Sequence, residues 1–314
     1  MDLTARRVGG LVLVTLFSLA VLGPLLPLRD PLAQPDGLVL RDLPPLARAR
    51  AIVLADGSVR WAHETRVADD AVEYRRGARW TRLEAADLAP RWERRPLFVL
   101  GTDDLGRDLL SRMIHGARVS LLAGLCAATL AVAAGIAIGG LAGLAGGMPD
   151  ALLMRLTDLA LSVPRLFLAL TLAAIWGASL ATTVAVVAAT TWMGVARLTR
   201  GVFLATRENE FVRAARATGA RPLRVALLHL LPAAAAPILV EWTLRVGDAI
   251  LLEASMSFLG LGIPAPMPSW GNLIADGRGS LLDAWWIATL PGLAIGATVI
   301  SLQTFSSSGS GRRT

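Results

Sequence analysis

The 314-residue sequence predicts an all-α membrane protein with six transmembrane helices and an external insertion between the first two. Three observations carry that expectation. Hydrophobic residues make up 54% of the chain and aromatic residues only 5%. The mean hydropathy is +0.56, above what a soluble domain of this length carries. Six apolar runs reach the roughly 20 residues a helix needs to cross the hydrocarbon core.

Those runs lie near 8–28, 119–145, 152–176, 179–196, 233–252 and 283–304. They divide the chain into a first span at 1–28, an external segment at 29–97, a membrane domain at 98–305 and a flexible polar tail at 306–314. The first run follows Arg6 and Arg7 and so shares the outline of a signal peptide. Its length and the lack of a small-x-small cleavage site favour an uncleaved span.

The formal charge of +7 comes entirely from arginine, because the sequence contains no lysine. Arg6, Arg7, Arg155, Arg197, Arg200, Arg207, the arginines of 210–232, Arg312 and Arg313 fall on one side of the membrane if the amino terminus is inside. By the positive-inside rule both termini are then cytoplasmic, and 29–97 lies outside. Arginines at the ends of apolar runs speak for membrane orientation and against a nucleic-acid partner.

The external segment mixes Pro31, Pro35, Pro44 and Pro45 with an alternating stretch at 51–59, the pattern of a small, partly ordered insertion. It leads into GTDDLGRDLLSRMIHGARVSL at 101–121. There Leu105, Leu109 and Met113 share a helical face opposite Arg107, Asp108 and Arg112, which suits a helix lying flat on the outer interface. A solvated loop helix is the competing reading.

The second span carries small residues at every fourth position: Ala123, Ala127, Ala131, Gly135, Gly139, Gly143 and Gly147. Such a ridge lets helix backbones approach and gain dispersion contacts in lipid. Its partner is either another helix of this chain or a second subunit. Further along, Arg155, Asp158, Glu241, Arg245, Asp248 and Glu253 fall in or beside spans, where a central charge costs about 2.5–3.5 kcal/mol. They must face protein or water, and Glu241 and Arg245 are spaced to pair. An ion relay, as in a secondary transporter, is the alternative use.

Between the fourth and fifth runs lies a polar stretch at 207–232, containing FVRAARATGARPLRVALLHLLP. Residues 211–218 favour helix, Gly219 suits a left-handed stop, Pro222 can open a second helix, and Pro232 is expected to close it. Arg213, Arg216, Arg221 and Arg224 supply a basic face. A polar helical hairpin inside an apolar sequence reads as a docking surface, with an ordinary basic loop as the plainer alternative.

Catalytic patterns are missing from the sequence. Without lysine there is no Walker A motif and no Schiff-base lysine. His63, His115 and His229 are scattered, and Cys126 stands alone, so the sequence offers no metal set and no disulfide.

Three segments, in order, resemble the membrane subunits of binding-protein-dependent ATP-binding-cassette importers of the dipeptide, oligopeptide and nickel group. They are 101–121, with Gly101, Thr102, Asp103, Gly106, Arg107 and Asp108; 211–232, with Ala214, Ala215 and Gly219; and 253–278, with Glu253, Gly260, Gly262, Trp270 and Gly271. Arg213 stands where the family's cytoplasmic loop has glutamate, and the tail after Ile300 also departs from the family pattern. The resemblance implies the permease fold of type I importers in a bacterial inner membrane. It implies a homologous second permease, two ATPase subunits that hold ATP and magnesium, and an external binding protein that delivers peptides, nickel or related small solutes. It implies no cofactor on this chain and no catalysis by it. ATPase coupling then falls to Glu210, Phe211, Arg213, Ala214, Ala215, Arg216, Gly219, Arg221 and Pro222.

Overall fold

The computed structural model describes residues 3–68 and 70–307. Most of the polar tail, from 308 on, lies outside the described residues, and the last helix runs to Ser307. The chain forms two compact units. Of the described residues, one contains 3–18, 119–264 and 295–307, the other 19–118 with 265–294.

Among the described residues, four helices are long and apolar enough to cross a membrane: Leu109–Ala145, Leu180–Thr206, Pro222–Phe258 and Trp286–Ser306. In order, helix α1 is Leu3–Leu22, α2 Leu109–Ala145, α3 Gly147–Ser162, α4 Arg165–Trp176 and α5 Leu180–Thr206. They are followed by α6 Glu210–Ala217, α7 Pro222–Val225, α8 Leu231–Phe258, α9 Trp270–Gly277 and α10 Trp286–Ser307.

The expected third span is not one helix. It breaks at Ser162–Val163–Pro164 into α3 and α4, bent by 89°. Pro164 disfavours helical backbone at Val163, which is extended (φ −86°, ψ 129°). With this pair taken as one span the count reaches five. The apolar part of α1 described, Arg7–Leu22, is shorter than the other candidates.

Pro232 does not close a helix. The chain stays helical from Pro222 to Phe258, with a π turn at Ala226–Leu230 in which the Leu231 N–H donates to the carbonyl of Ala226, five residues back. The slip falls immediately before a residue that has no N–H to donate, and a π turn is a known way for a helix to accept that interruption.

The unit containing 119–264 is held by close helix contact. A Cβ on Gly139 would lie 2.1 Å from the Ala196 carbonyl oxygen, one on Gly135 2.5 Å from the Val195 Cβ, and one on Gly143 2.8 Å from the Phe203 Cβ. The ridge of α2 therefore packs against α5 of the same chain. Gly147 is not part of it: it opens α3, has φ +56°, and its Cβ would meet nothing within 4 Å. Arg200 closes a two-point ion pair on Asp150 (2.5 and 2.7 Å).

The second unit corrects two expectations. Segment 29–97, expected as a small, partly ordered insertion in an all-α protein, carries strands β1 Ala47–Arg48, β2 Arg50–Leu54, β3 Val59–Ala62, β4 Glu64–Ala68, β5 Ala71–Arg76, β6 Arg79–Glu84, β7 Leu88–Arg94 and β8 Leu97–Phe98. They pair antiparallel in the orders β3–β2–β7, β4–β5–β6 and β1–β8, so the fold is α-helical with a β-built insertion. Ile52, Ala62, Val72 and Tyr74 form one of its cores; Val39, Leu40, Ala49 and Phe98 form another. Burial pushes the Asp36 carboxyl up, but the Arg76 guanidinium at 2.8 Å and the N–H groups of Leu38 and Val39 outweigh it and hold that carboxyl below its ordinary range.

No separate helix lies flat ahead of the second span. Residues 101–108 are loop, and α2 starts at Leu109 and continues for 37 residues, about 55 Å. The charged residues assigned to a solvent face are in fact buried: Arg107, Asp108 and Arg112 are each less than 10% exposed. Leu105, expected on the apolar face, is exposed.

Candidate functional site

Three constellations hold the residues singled out by sequence. The first is the polar elbow between α5 and α8. Helix α6 ends in a Schellman turn: the Ala220 N–H donates to the Ala215 carbonyl (3.1 Å) and the Gly219 N–H to that of Arg216 (3.0 Å). Gly219 sits at φ +81°, and a Cβ there would meet nothing within 4 Å. Backbone conformation, and not space, is what calls for glycine. Pro222 then opens α7 at its first turn, where a missing N–H costs nothing.

Burial separates anchor from display. Val212 is fully buried with Val132, Val195, Phe203, Val225, Ala226, Leu230 and Ile238. Glu210, Phe211, Arg213, Ala214, Arg216, Gly219, Arg221 and Pro222 are exposed, and Ala215 is half-buried. Phe211 rests beside His229, ring centres 6.1 Å apart. The elbow thus buries apolar residues of both its arms and leaves a cationic, small-residue face exposed.

The second constellation is the loop 101–108. Gly101 (φ +80°) passes so close to the chain that a Cβ would lie 2.2 Å from the Leu43 carbonyl oxygen, and one on Gly106 (φ +75°) 2.9 Å from that of Asp36. Thr102 is fully buried and its hydroxyl accepts from the Leu43 N–H (2.8 Å). Asp108 caps α2 by accepting from the Ser111 N–H (2.9 Å) and pairs with Arg29 (3.0 Å).

Asp103 organises the rest. One oxygen accepts from the N–H groups of Leu105 (3.0 Å) and Arg107 (2.9 Å), the other from the Arg107 side chain (2.6 Å) and from Arg112. Asp276 of α9 completes a charge-balanced square, 3.1 Å from Arg107 and 3.0 Å from Arg112. Asp104 stands beside it. Its carboxyl is raised above the ordinary range by burial first and by the charges of Asp103 and Asp276 next. Helix α9 is seated by Trp270, 1% exposed, whose indole donates to the Met113 carbonyl (3.2 Å), with Gly271 buried beside it.

The third lies at the end of α8. The buried Glu253 accepts from Ser257 (2.8 Å) and Ser120 (3.2 Å), and the Ser257 hydroxyl accepts from the Ile263 N–H (3.1 Å). Gly260 (φ +81°) closes α8 with a second Schellman turn, Leu261 N–H to Met256 carbonyl at 2.9 Å. A Cβ on Gly262 would lie 2.1 Å from the Ser257 hydroxyl. Sequence reasoning missed Asp276 and Ser257 as partners. Asp276 lies 164 positions from Arg112, and nothing local in the sequence marks that pairing.

Comparison with known proteins places this fold. The family model described as binding-protein-dependent transport system inner membrane component matches residues 135–309, more than half the chain. The chain belongs to that family. It is a multi-pass membrane protein and the non-catalytic permease subunit of an ATP-binding-cassette importer, in which separate subunits hydrolyse ATP.

Among its relatives is the di/tripeptide transport system permease protein DppC of Pseudomonas aeruginosa, 43% identical over 206 residues, 66% of this chain and 68% of that protein. The dipeptide transport system permease protein DppC of Haemophilus influenzae is 36% identical over 218 residues, 69% of this chain and 74% of the relative. The probable D,D-dipeptide transport system permease protein DdpC of Escherichia coli is 39% identical over 205 residues, 65% and 69% of the two chains.

Proposed function

We propose that this chain forms half of the translocation pathway for short peptides, paired with a second, homologous permease and supplied by an external binding protein. Two ATPase subunits, which hold the ATP and magnesium, grip the exposed face of the 207–232 elbow. The peptide class is supported by the names of the relatives, which describe permeases of dipeptide or di/tripeptide transport systems. The broken α3–α4 pair and α1 make up the fifth and sixth spans, which puts both termini and the elbow in the cytoplasm and the β-built insertion outside. Arginines flanking the spans on the elbow's side support that orientation.

One observation carries the coupling role: a short helix pinned by Val212 presents Ala214, Arg213 and Arg216 outward on a rigid glycine turn. A chain without lysine cannot supply its own P-loop, so the energy must enter through such a surface. The test is a cysteine at Ala214 in a Cys126→Ser background. In inside-out vesicles it should cross-link to an ATPase subunit, and the complex should take up a labelled dipeptide only with ATP and binding protein. Labelling of that cysteine from the external side, or uptake driven by an ion gradient without the ATPases, would overturn the reading.

A further inference from the structure

Around the bend between α3 and α4, a cavity of about 210 Å³ opens within the helical unit, lined among others by Val163, Arg165, Thr190, Thr191, Gly194 and Arg245. A single water needs only about 10–15 Å³, so the space admits part of a small solute. The two guanidiniums that line it, Arg165 and Arg245, belong to a longer chain of charges. Arg165 and Arg245 share one oxygen of Asp248, at 3.3 and 3.2 Å, and Arg245 also donates to Glu241 at 2.8 Å. Gly194 makes room for it: a Cβ there would lie 2.7 Å from the Arg245 guanidinium.

Two cations and two carboxylates sum to zero. The hydroxyl protons of Thr190 and Thr191 are taken by the Val186 and Val187 carbonyls (2.9 and 2.7 Å), which leaves their oxygens as acceptors. The lining thus offers guanidinium donors to a carboxylate and hydroxyl acceptors to an ammonium or peptide N–H, with the carboxylates of Asp248 and Glu241 bonded to those guanidiniums. Ionisable groups within membrane-spanning helices mark solute pathways when they face a cavity and not lipid.

We infer that the Arg165–Asp248–Arg245–Glu241 chain is the solute-contacting wall of the pathway on this subunit, and that it passes zwitterionic solutes in preference to those with a net charge. This rests on the proposed peptide-importer reading. An entering carboxylate competes with Asp248 for Arg165, and an entering ammonium competes with Arg245 for Asp248, so a zwitterion replaces both broken contacts.

The experiment uses the full complex in proteoliposomes and compares uptake of a dipeptide, its N-acetyl form and its C-amide, each supplied at the concentration that half-saturates the binding protein. Asp248→Asn leaves the wall with a net positive charge and should raise uptake of the N-acetyl anion relative to the zwitterion about fivefold. Arg165→Gln should shift the ratio toward the C-amide by a similar factor. Ratios unchanged in both variants would overturn the inference while leaving the peptide reading intact. Failure of the wild-type complex to take up any peptide would overturn that reading and this inference with it. Should either variant fail to assemble, Val163→Cys in a Cys126→Ser background decides the matter: a water-soluble thiol reagent should modify it and peptide should slow the reaction, whereas an unreactive cysteine refutes a hydrated pathway.

Discussion

Gly219 gives the sharpest test of how the elbow works. It holds φ +81° with no atom within 4 Å of where a Cβ would stand, so substitution is penalised by the backbone alone. For an L-residue the left-handed conformation costs about 1–2 kcal/mol, less for asparagine and more for a β-branched side chain. The elbow's escape is to abandon the turn, which gives up the Ala220-to-Ala215 and Gly219-to-Arg216 hydrogen bonds, each worth about 0.5–1.5 kcal/mol. Both routes cost about the same, so a bulky residue disfavours the native elbow by roughly tenfold. Helix α6 has eight residues and one buried side chain, Val212, and cannot absorb that loss. ATP-driven uptake by Gly219→Val should therefore fall about tenfold or more with membrane insertion intact, Gly219→Ala should fall a few-fold, and Gly219→Asn should stay close to wild type. Gly201→Ala is the control, because Gly201 lies in α5 with open space around it and no positive φ. Full uptake by Gly219→Val, or equal losses in the Asn and Val variants, would refute the reasoning.

Gly139→Leu should destabilise the detergent-solubilised protein by about 1–3 kcal/mol or prevent its assembly, because even a Cβ meets the Ala196 backbone; Gly296→Ala, with open space, should leave the melting temperature unchanged. Arg112→Met removes a buried partner of Asp103 and Asp276 and should cost about 3–5 kcal/mol in thermal unfolding, and a loss under about 1 kcal/mol would contradict the charge square. Asp36 has a lowered pKa when folded, so its contribution is present above the unfolded value near 3.8 and is lost as pH falls through the folded one. Tryptophan fluorescence against pH should show an acid transition that Asp36→Asn weakens, and an unaltered transition would count against the Asp36–Arg76 pair.

Legibility followed the range of the interactions. The elbow was readable because its signals are local: helix formers, Gly219 at a left-handed stop and Pro222 at a helix start all act within a few residues. Its far end was misread, since Pro232 follows a π turn that no residue type announces. Segment 101–108, read as part of a flat-lying helix, is loop, and its charges were given the wrong surface. Helical periodicity set Arg107 and Arg112 toward solvent, whereas Asp276, far along the chain, pairs with both, so that they are buried with a counter-charge. The glycine ridge was evident from spacing, but its partner, α5, was not, because small residues state how close a neighbour comes and not which one it is. The extent of the β-built insertion was the largest omission: alternation was read only at 51–59, and the other strands are short, two to seven residues each.

The placement of Val212 bears on how force would travel. It is buried in the same cluster as Val132 of α2, Val195 and Phe203 of α5, and Ile238 of α8. Packed interiors resist small deformations, so an elbow pinned in that cluster cannot slide over the bundle surface without opening a void. On the proposed coupling role, a push on its exposed face would move α5 and α8 as a body. Along those helices lie the residues that border the α3–α4 bend, Gly194 on α5 and Arg245 on α8, with the Arg245–Glu241 pair lying across Gly194. A body movement of α5 and α8 against α4 would stretch a polar contact that crosses that boundary, Arg165 to Asp248, already the longest in the charge chain at 3.3 Å. The elbow and the charged wall are thus linked by packing through two helices, and the contact expected to break first is the one a passing carboxylate would replace.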